Sequence, residues 1–199
     1  MPLPASGCFV AWYDVNAGCE TEHDRWHARE HMIERVSIPG FLSGRRYSVV
    51  GAGPRTCVIY LARDVETFTS DAYAERLNNP SEWTKRVMPT IVGMNRTLCR
   101  VRHSLGIGMG GYLLTTQIEP VDPVRLEGVL VVRLMPELAS LSGICGVHLM
   151  SADQAASHQG SLEKSIRGAP DTVADWVLLV EAYEPGALAE ARTDFLDPA

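Results

Sequence analysis

The chain has 199 residues, enough for one domain or two small ones, and its 46% hydrophobic content is ample for a packed core. The net charge of −6 argues against nucleic acid or an anionic membrane as a partner, and the longest uncharged stretch, residues 104–118, is too short and too polar to span a bilayer. The first residues lack the basic and apolar regions of a signal peptide, so we expect a cytoplasmic protein.

The first half of the sequence predicts the order β-α-β-β-α-β, which is the ferredoxin-like pattern. Runs of aromatic and β-branched residues predict strands, and Gly or Pro turns separate them. A long helix is predicted to start at Thr21 and to end before Pro39, because a residue that precedes proline is biased away from helical geometry. The predicted strands are residues 8–15, 41–50, 56–63 and 91–102, and the later helical segments are residues 67–77 and 81–88.

The same order begins again in the second half of the chain. Strands are predicted at residues 111–118, 143–151 and 176–183, helices at 124–139 and 187–195, and a polar connection at 153–171. The sequence therefore predicts an α+β protein made of two tandem ferredoxin-like repeats, residues 1–104 and 105–199. The second repeat is predicted to lack its last strand, which leaves an open sheet edge for another chain or the remaining residues to cover.

The first long helix carries the densest cluster of ionisable side chains. At about 100° per residue, Trp26, Ile33 and Val36 fall on one face, which we expect to pack on a sheet. Beside that face lies a flank of imidazoles and carboxylates, formed by His23, His27, Glu30, His31 and Glu34. His23 lies near the start of the helix and is expected to be exposed.

Two interpretations of this flank remain open. One is a solvated surface with acid–histidine contacts between residues four apart. The other is a pocket wall, in which His27 and His31 transfer protons near neutral pH and Glu30 or Glu34 orients them. A shared metal ion is a third, weaker interpretation, because the pattern is not His-Glu-x-x-His and no obvious third ligand follows.

Other candidate residues lie outside the helix. Arg45 and Arg46 alternate in direction along a strand, so one of them is able to bind a carboxylate or enolate oxygen. Tyr47 and Trp83 are further candidates for contact with a substrate, although a packing role is the alternative for Trp83. The five cysteines are scattered and form no C-x-x-C pair, so none is expected to be a nucleophile.

The first half of the sequence contains a series of short motifs, namely Trp26, Glu30-His31-Met32, Glu34-Arg35, Ile38-Pro39-Gly40-Phe41, Arg45-Arg46-Tyr47, Asn79-Pro80, Trp83-Thr84 and Arg86. With these motifs the sequence resembles the dimeric α+β barrel superfamily, and within it the EthD-like proteins and their uncharacterised relatives. In that superfamily two four-stranded sheets commonly pack face to face as a homodimer. The resemblance therefore implies that the tandem repeat builds such a barrel within one chain, with homo-oligomers as a further expectation.

The resemblance implies an enzyme that acts on a small aromatic or enolisable carbonyl compound by proton transfer or by cofactor-independent oxygenation, isomerisation or cyclisation. His31 or His27 would be the general acid or base, Glu34 or Glu30 would orient it, and Arg46 would hold the anion. The alternative is a non-catalytic small-molecule-binding or assembly protein. No cofactor is expected, and the weaker alternatives are a single metal ion or haem bound through His31 or His148.

Overall fold

The computed structural model describes residues 3–50, 52–106 and 108–196. Contacts divide the chain into two compact units. The first unit consists of Ala5–Arg100 and Asp153–Val173, and the second unit consists of the other described residues. None of the helices among the described residues has the length and apolar composition that a membrane crossing requires.

The first unit contains the elements that the first half of the sequence predicts, together with two short helices from later in the chain. Helix α1 is continuous but has three parts, namely Glu20–Trp26, a π-helical turn at His27–His31, and Met32–Val36. The other elements are β1 (Gly7–Val15), β2 (Phe41–Ser48), β3 (Thr56–Ala62), α2 (Asp71–Asn78), α3 (Glu82–Val87), β4 (Ile91–Gly106), α5 (Gln154–His158) and α6 (Leu162–Arg167).

The second unit is built from the later part of the chain and the end of β4. Its elements are β5 (Tyr112–Ile118), α4 (Pro123–Val129, a π-helical turn at Leu130–Leu134, and Met135–Ser140), β6 (Ile144–Ala152), β7 (Trp176–Ala182) and α7 (Pro185–Ala191, followed by a π-helical turn at Arg192–Leu196).

The strand order confirms the predicted α+β class. In the first unit the strands lie in the order β2-β3-β1-β4, with β1 paired antiparallel to both β3 and β4. This order and the connections between the strands are those of a ferredoxin-like unit. In the second unit the order is β6-β7-β5, with β4 next to β6. Among the described residues β7 is the one strand neighbour of β5, so β5 forms a sheet edge.

The π-helical turn changes which residues of α1 face inward. Trp26 is buried as predicted, but the prediction for Ile33 and Val36 is wrong, since Ile33 is 58% exposed and Val36 is also exposed. A π-helical turn holds an extra residue, so it rotates everything that follows relative to a regular helix. Arg35 is buried instead and Met32 packs against the apolar core of the first unit.

Helix α1 approaches the sheet closely at Gly44. A Cβ atom on Gly44 would lie 2.3 Å from the Met32 sulfur and 2.8 Å from the Tyr60 ring, so no larger residue fits unless they move. Gly44 is also the register partner of Tyr60 on the neighbouring strand. The absence of a side chain at this position therefore sets the distance between α1 and the aromatic side chains of β3.

We predict that Gly44→Ala lowers the free energy of unfolding by about 1–3 kcal/mol, because overpacking forces Met32 and Tyr60 out of place. Gly128→Ala is the matched control. A Cβ there meets nothing within 4 Å, and alanine stabilises a helix interior by about 0.5–1 kcal/mol relative to glycine. Urea denaturation of both variants measures the two effects, and a Gly44→Ala protein as stable as wild type would contradict the close approach.

Candidate functional site

The first unit contains a cavity between α1, the sheet and α6. The volume open to the centre of a water-sized sphere is about 50 Å³, and the empty space counted out to the mouth, which includes open solvent, is about 580 Å³. Its walls are mostly aromatic and aliphatic, from Phe9, Ala11, Tyr13, Trp26, Val58, Tyr60, Tyr73, Leu77, Met88, Ile91 and Met94. The polar lining residues are His27, His31, Arg35, Arg96, Ser161, Glu163, Lys164 and Arg167.

The π-helical turn aligns four side chains that are spaced four residues apart on α1. His23, His27 and Arg35 are buried, and His27, His31 and Arg35 line the cavity. The expectation that His23 is exposed is wrong, because its imidazole is 0% exposed and packs beside Trp26 and Tyr13. The ring centroids of His27 and His31 are 5.4 Å apart, and the His31 ring lies 4.3 Å from the Trp26 indole.

The cavity keeps its histidines neutral at pH 7. Burial, reinforced by the positive charge of Arg46, lowers the pKa of His27 to about 3. His31 retains some accessible surface, but protein surrounds its imidazole, and burial and the charge of Arg35 hold its pKa well below the usual value. Both imidazoles therefore act as neutral hydrogen-bonding groups in the unliganded protein.

A buried ion pair closes the cavity at the end of α1. One terminal nitrogen of Arg35, Nη2, donates to both carboxylate oxygens of Glu163 on α6 at 2.5 Å, and the two side chains are 3% and 6% exposed. The guanidinium also lies 5.8 Å from the centre of the Tyr73 ring. Because Glu163 follows Arg35 by 128 residues, this pair fixes the segment Asp153–Val173 to the first unit.

Four buried polar atoms of cavity-lining residues have no hydrogen-bond partner among the described residues. They are Nη1 of Arg35, the hydroxyl of Tyr60, Nδ1 of His31 and Nε of Arg167. Leaving a buried donor without a partner costs about 1–3 kcal/mol each, so native proteins rarely tolerate several in one place. Grouped around one cavity, these atoms are able to hydrogen-bond to a polar ligand or to water.

The charges around the cavity favour an anion. Arg35, Arg96, Lys164 and Arg167 contribute four cations to the lining, whereas Glu163 is the one carboxylate among the lining residues described. Asp171 compensates part of this excess, since it pairs with both Lys164 and Arg167. Counting Asp171, the balance is four cations against two carboxylates, which raises the local concentration of anionic ligands.

A second polar cluster lies where β1 meets the start of α1. The Tyr13 hydroxyl is 3.1 Å from Nε2 of His23, and Nδ1 of His23 is 3.2 Å from a carboxylate oxygen of Asp24. Asp24 also pairs with Arg46 and, at 2.9 Å, with Arg55. Burial alone would raise the pKa of Asp24, but hydrogen bonds from Arg46 and His23 outweigh it and lower the pKa to about 2.

The other site residues proposed from the sequence lie outside the cavity lining. Glu30 accepts hydrogen bonds from Ser81 at 2.5 Å and from Thr84 at 3.3 Å, and Glu34 pairs with Arg76 at 3.3 Å. The remaining three are Arg46, which pairs with Asp24; Tyr47, which accepts from Arg45; and Trp83, which donates to Glu22.

Among residues 3–50, 52–106 and 108–196, no group of three His, Cys, Asp or Glu side chains is arranged to hold a metal ion. His148 lies in the second unit, buried between the Ser104 hydroxyl at 2.8 Å and the Glu181 carboxylate at 3.5 Å.

Sequence reasoning did not find the residues that give the cavity its charge. In the sequence Arg35 stands out only as part of the Glu34-Arg35 motif, and its partner Glu163 lies in a stretch that the sequence predicts as a polar connection. Arg96 and Tyr60 lie inside apolar strand patterns. A charged residue in a largely apolar strand is the one available signal, and on the predicted strand 91–102 it indicates Arg96 together with Arg100 and Arg102.

No protein-family model matches the chain, and no curated protein sequence matches it significantly. Several solved structures are similar to the chain. An anthrone oxidase-like protein has a TM-score of 0.60 and 13% identity, with 100% of this chain and 83% of that one covered. A proposed monooxygenase from Fusobacterium nucleatum has a TM-score of 0.58 and 11% identity, with 94% of this chain and 81% of that one covered. A proposed monooxygenase from Lactobacillus acidophilus has a TM-score of 0.55 and 9% identity, with 96% of this chain and 83% of that one covered.

At these identities the likeness establishes the fold alone. The chain shares its α+β fold with these three structures.

We predict that the protein loses stability as the pH falls from 6.5 to 5. His27 titrates near pH 3 when folded and near 6.5 when unfolded, so the unfolded chain binds more protons in this range. Each such histidine contributes a slope of about 1.4 kcal/mol per pH unit. Urea denaturation at several pH values should show a slope about one proton smaller in His27→Gln, whereas His158→Gln, at an exposed position, should keep the wild-type slope.

We predict that Glu163→Gln lowers the free energy of unfolding by about 3–5 kcal/mol, because it leaves the Arg35 cation buried without a counter-ion. Adding Arg35→Met should recover most of that loss, since the buried charge is then removed. Glu82→Gln, which breaks an exposed pair with Lys85, should have no measurable effect. A double variant as unstable as Glu163→Gln alone would show that packing, not charge, dominates here.

Proposed function

We propose that this cavity binds a small aromatic ketone and stabilises its enolate, which then reacts with dioxygen without a cofactor. The observation that carries the proposal is the set of unpartnered atoms on Arg35, Tyr60 and His31 around an aromatic, electropositive cavity. Arg35 Nη1 and the Tyr60 hydroxyl are donors, and donors fixed in a water-poor site stabilise a developing oxyanion far better than solvent does.

The chemistry needs a C–H bond that is conjugated with the carbonyl, either directly or through an aromatic ring, to lose its proton while the electron pair moves to the oxygen. The enolate adds dioxygen at carbon, and protonation gives a hydroperoxide. Loss of water from that carbon leaves a second carbonyl, so an aromatic ketone with a CH₂ group and O₂ give a diketone and water. Aromatic walls such as Trp26 and Tyr73 provide flat surfaces for the rings.

The sequence prediction that His31 or His27 handles the proton stays part of this proposal. Both side chains line the cavity and both are neutral, so both are able to accept a proton. An anionic enolate beside them would offset the surrounding cations and raise their pKa values. Proton transfer to an imidazole is therefore easier in the complex than in the free protein.

The names of the similar structures support the choice of substrate. One is described as anthrone oxidase-like and two as proposed monooxygenases, and anthrone is a flat aromatic ketone with a CH₂ group opposite its carbonyl. We therefore take anthrone, with anthraquinone as the product, as the first compound to test.

The main alternative is a binding protein that uses the same cavity without catalysis. It is favoured by the pKa of His27, which at about 3 makes its imidazole a weak base in the unliganded protein. This alternative predicts tight binding of anthrone or anthraquinone with no acceleration of oxidation.

Haem fits the described residues less well. Histidines that ligate a metal almost always donate their second ring N–H to a carboxylate, carbonyl or water, and Nδ1 of His31 has no such partner among the described residues. His148 does not line the cavity. The residues present fit an organic anion better than a haem iron.

We also infer that the two halves are tandem repeats of one EthD-like unit. Three matching irregularities support this. The first helix of each half contains a π-helical turn, at His27–His31 and Leu130–Leu134. The next strand begins after a left-handed glycine, Gly40 (φ 97°) or Gly143 (φ 85°), and each has a register shift at its start. The predicted homo-oligomer stays a prediction.

We predict that Tyr60→Phe weakens binding of the enolate by about tenfold, the worth of one hydrogen bond to a charged oxygen. The Tyr60 hydroxyl has no partner among the described residues, so its removal should not lower the free energy of unfolding. Fluorescence titration with anthrone and the rate of anthraquinone formation in air measure binding and turnover. Tyr112→Phe, at an exposed position in β5, is the matched control.

Two results would contradict the proposal. Wild-type protein that neither binds anthrone nor speeds its oxidation would remove aromatic ketones as the substrate class. Binding without acceleration would favour the non-catalytic alternative.

A further inference from the structure

A continuous line of hydrogen-bonding groups leads from the cavity to the surface. Tyr13 lines the cavity and its side chain is 3% exposed. Its hydroxyl meets Nε2 of His23 at 3.1 Å, and Nδ1 of His23 meets Asp24 at 3.2 Å. The Asp24 side chain is 39% exposed. A buried tyrosine is thus connected to solvent through one imidazole and one carboxylate.

The ionisation of Asp24 determines the direction of these hydrogen bonds. Hydrogen bonds from Arg46 and His23 outweigh the effect of burial and keep its pKa near 2, so Asp24 is a carboxylate at pH 7 and only accepts. Nδ1 of His23 must therefore carry the proton. In a neutral imidazole Nε2 is then the acceptor, so the Tyr13 hydroxyl donates to it.

His23 differs from His27 and His31 in having a carboxylate in contact. Burial lowers the pKa of His23, but the Asp24 hydrogen bond opposes that effect. The groups that face it are Tyr13 from β1, Asp24 and His27 from α1, and Arg46 from β2 through Asp24. Of the three histidines on α1, His23 is the one where an imidazolium has an anion to stabilise it.

We propose that Tyr13 is the catalytic residue that takes the proton from the substrate, and that His23 and Asp24 are its positioning residues and hold that proton. This inference rests on the proposed function, and within it Tyr13 replaces His31 or His27 as the proton acceptor. The C–H proton moves to the Tyr13 oxygen as the Tyr13 hydroxyl proton moves to Nε2 of His23. The electron pair stays on the substrate as the enolate, and Asp24 remains a carboxylate beside the imidazolium.

The same groups return the proton after dioxygen has added. Nε2 of His23 gives its proton back to the Tyr13 oxygen, and Tyr13 passes its own to the peroxide anion to form the hydroperoxide. The imidazole is then neutral again with its proton on Nδ1, which is the starting state. No ring flip is needed, and no proton is gained or lost over the cycle beyond those in the water that is released.

The first test is the protonation state of His23 in the full-length protein, read by ¹⁵N–¹H NMR of labelled histidine at pH 7. The relay needs a proton on Nδ1 and none on Nε2. Tyr13→Phe should shift the Nε2 signal, because it removes the hydrogen bond that Nε2 accepts. A wild-type His23 protonated on Nε2 alone would overturn the relay, whatever the substrate.

The second test is hydrogen–deuterium exchange of the anthrone CH₂ group in D₂O under nitrogen, which separates proton transfer from oxygenation. We expect Tyr13→Phe and His23→Gln to slow the protein-catalysed exchange by about 100-fold or more, the usual worth of a positioned acid–base group. Tyr13→Phe should keep the affinity for anthrone within a few fold of wild type. Slower exchange with retained affinity is the result that a merely structural tyrosine would not explain. Tyr112→Phe and His158→Gln, both at exposed positions, are the matched controls.

The outcomes separate the two hypotheses. Wild-type exchange rates in both Tyr13→Phe and His23→Gln, with loss in His31→Gln or His27→Gln, would overturn the relay and leave the proposed function standing. A wild-type protein that gives no acceleration would overturn the proposed function and the relay with it. Tyr13→Phe is the smaller change, and it decides the matter if His23→Gln does not fold.

Discussion

The cavity of the first unit depends on one irregularity in the backbone, the π-helical turn at His27–His31. In a regular helix, residues four apart drift by about 40° per step, so side chains at 23, 27, 31 and 35 would spiral away from the sheet. The extra residue in the π-helical turn cancels much of that drift. It therefore keeps three imidazoles and a guanidinium on the buried side of α1 and leaves Ile33 and Val36 in contact with solvent. π-helical turns are frequent at functional sites, where such a realignment is useful.

The buried charges of the cavity link its stability to its chemistry. Arg35 is held by Glu163 through one terminal nitrogen, and the other has no partner among the described residues. The ion pair thus anchors a cation that retains hydrogen-bonding capacity. Burial, reinforced by nearby positive charges, keeps His27 and His31 neutral. An anion entering the cavity would accept a hydrogen bond from Nη1 of Arg35 and would raise the pKa values of both histidines.

Much of the fold was predictable from local patterns, whereas the site was predictable only in part. Apolar runs and Gly-Pro turns indicate the strand order of the first unit, and His27 and His31 were identified because ionisable residues cluster on one helix. Helical periodicity assumes a constant rise and rotation, so it could not anticipate the π-helical turn, the burial of His23 or the exposure of Ile33. The Arg35–Glu163 pair joins residues 128 positions apart, and a single sequence holds no local signal for such a contact.

The path of the chain has a consequence for how the protein is made. Helix α6, which carries Glu163, is synthesised after β5 and β6, yet it packs in the first unit. Before α6 is synthesised, Arg35 of the nascent chain cannot form its ion pair with Glu163, and the cavity lacks the wall that α6 provides. The buried ion pair of the first unit therefore forms only after residue 163 has been synthesised. A shortened chain that ends between the two halves would contain Arg35 but not Glu163, so the buried Arg35 cation would lose its carboxylate partner.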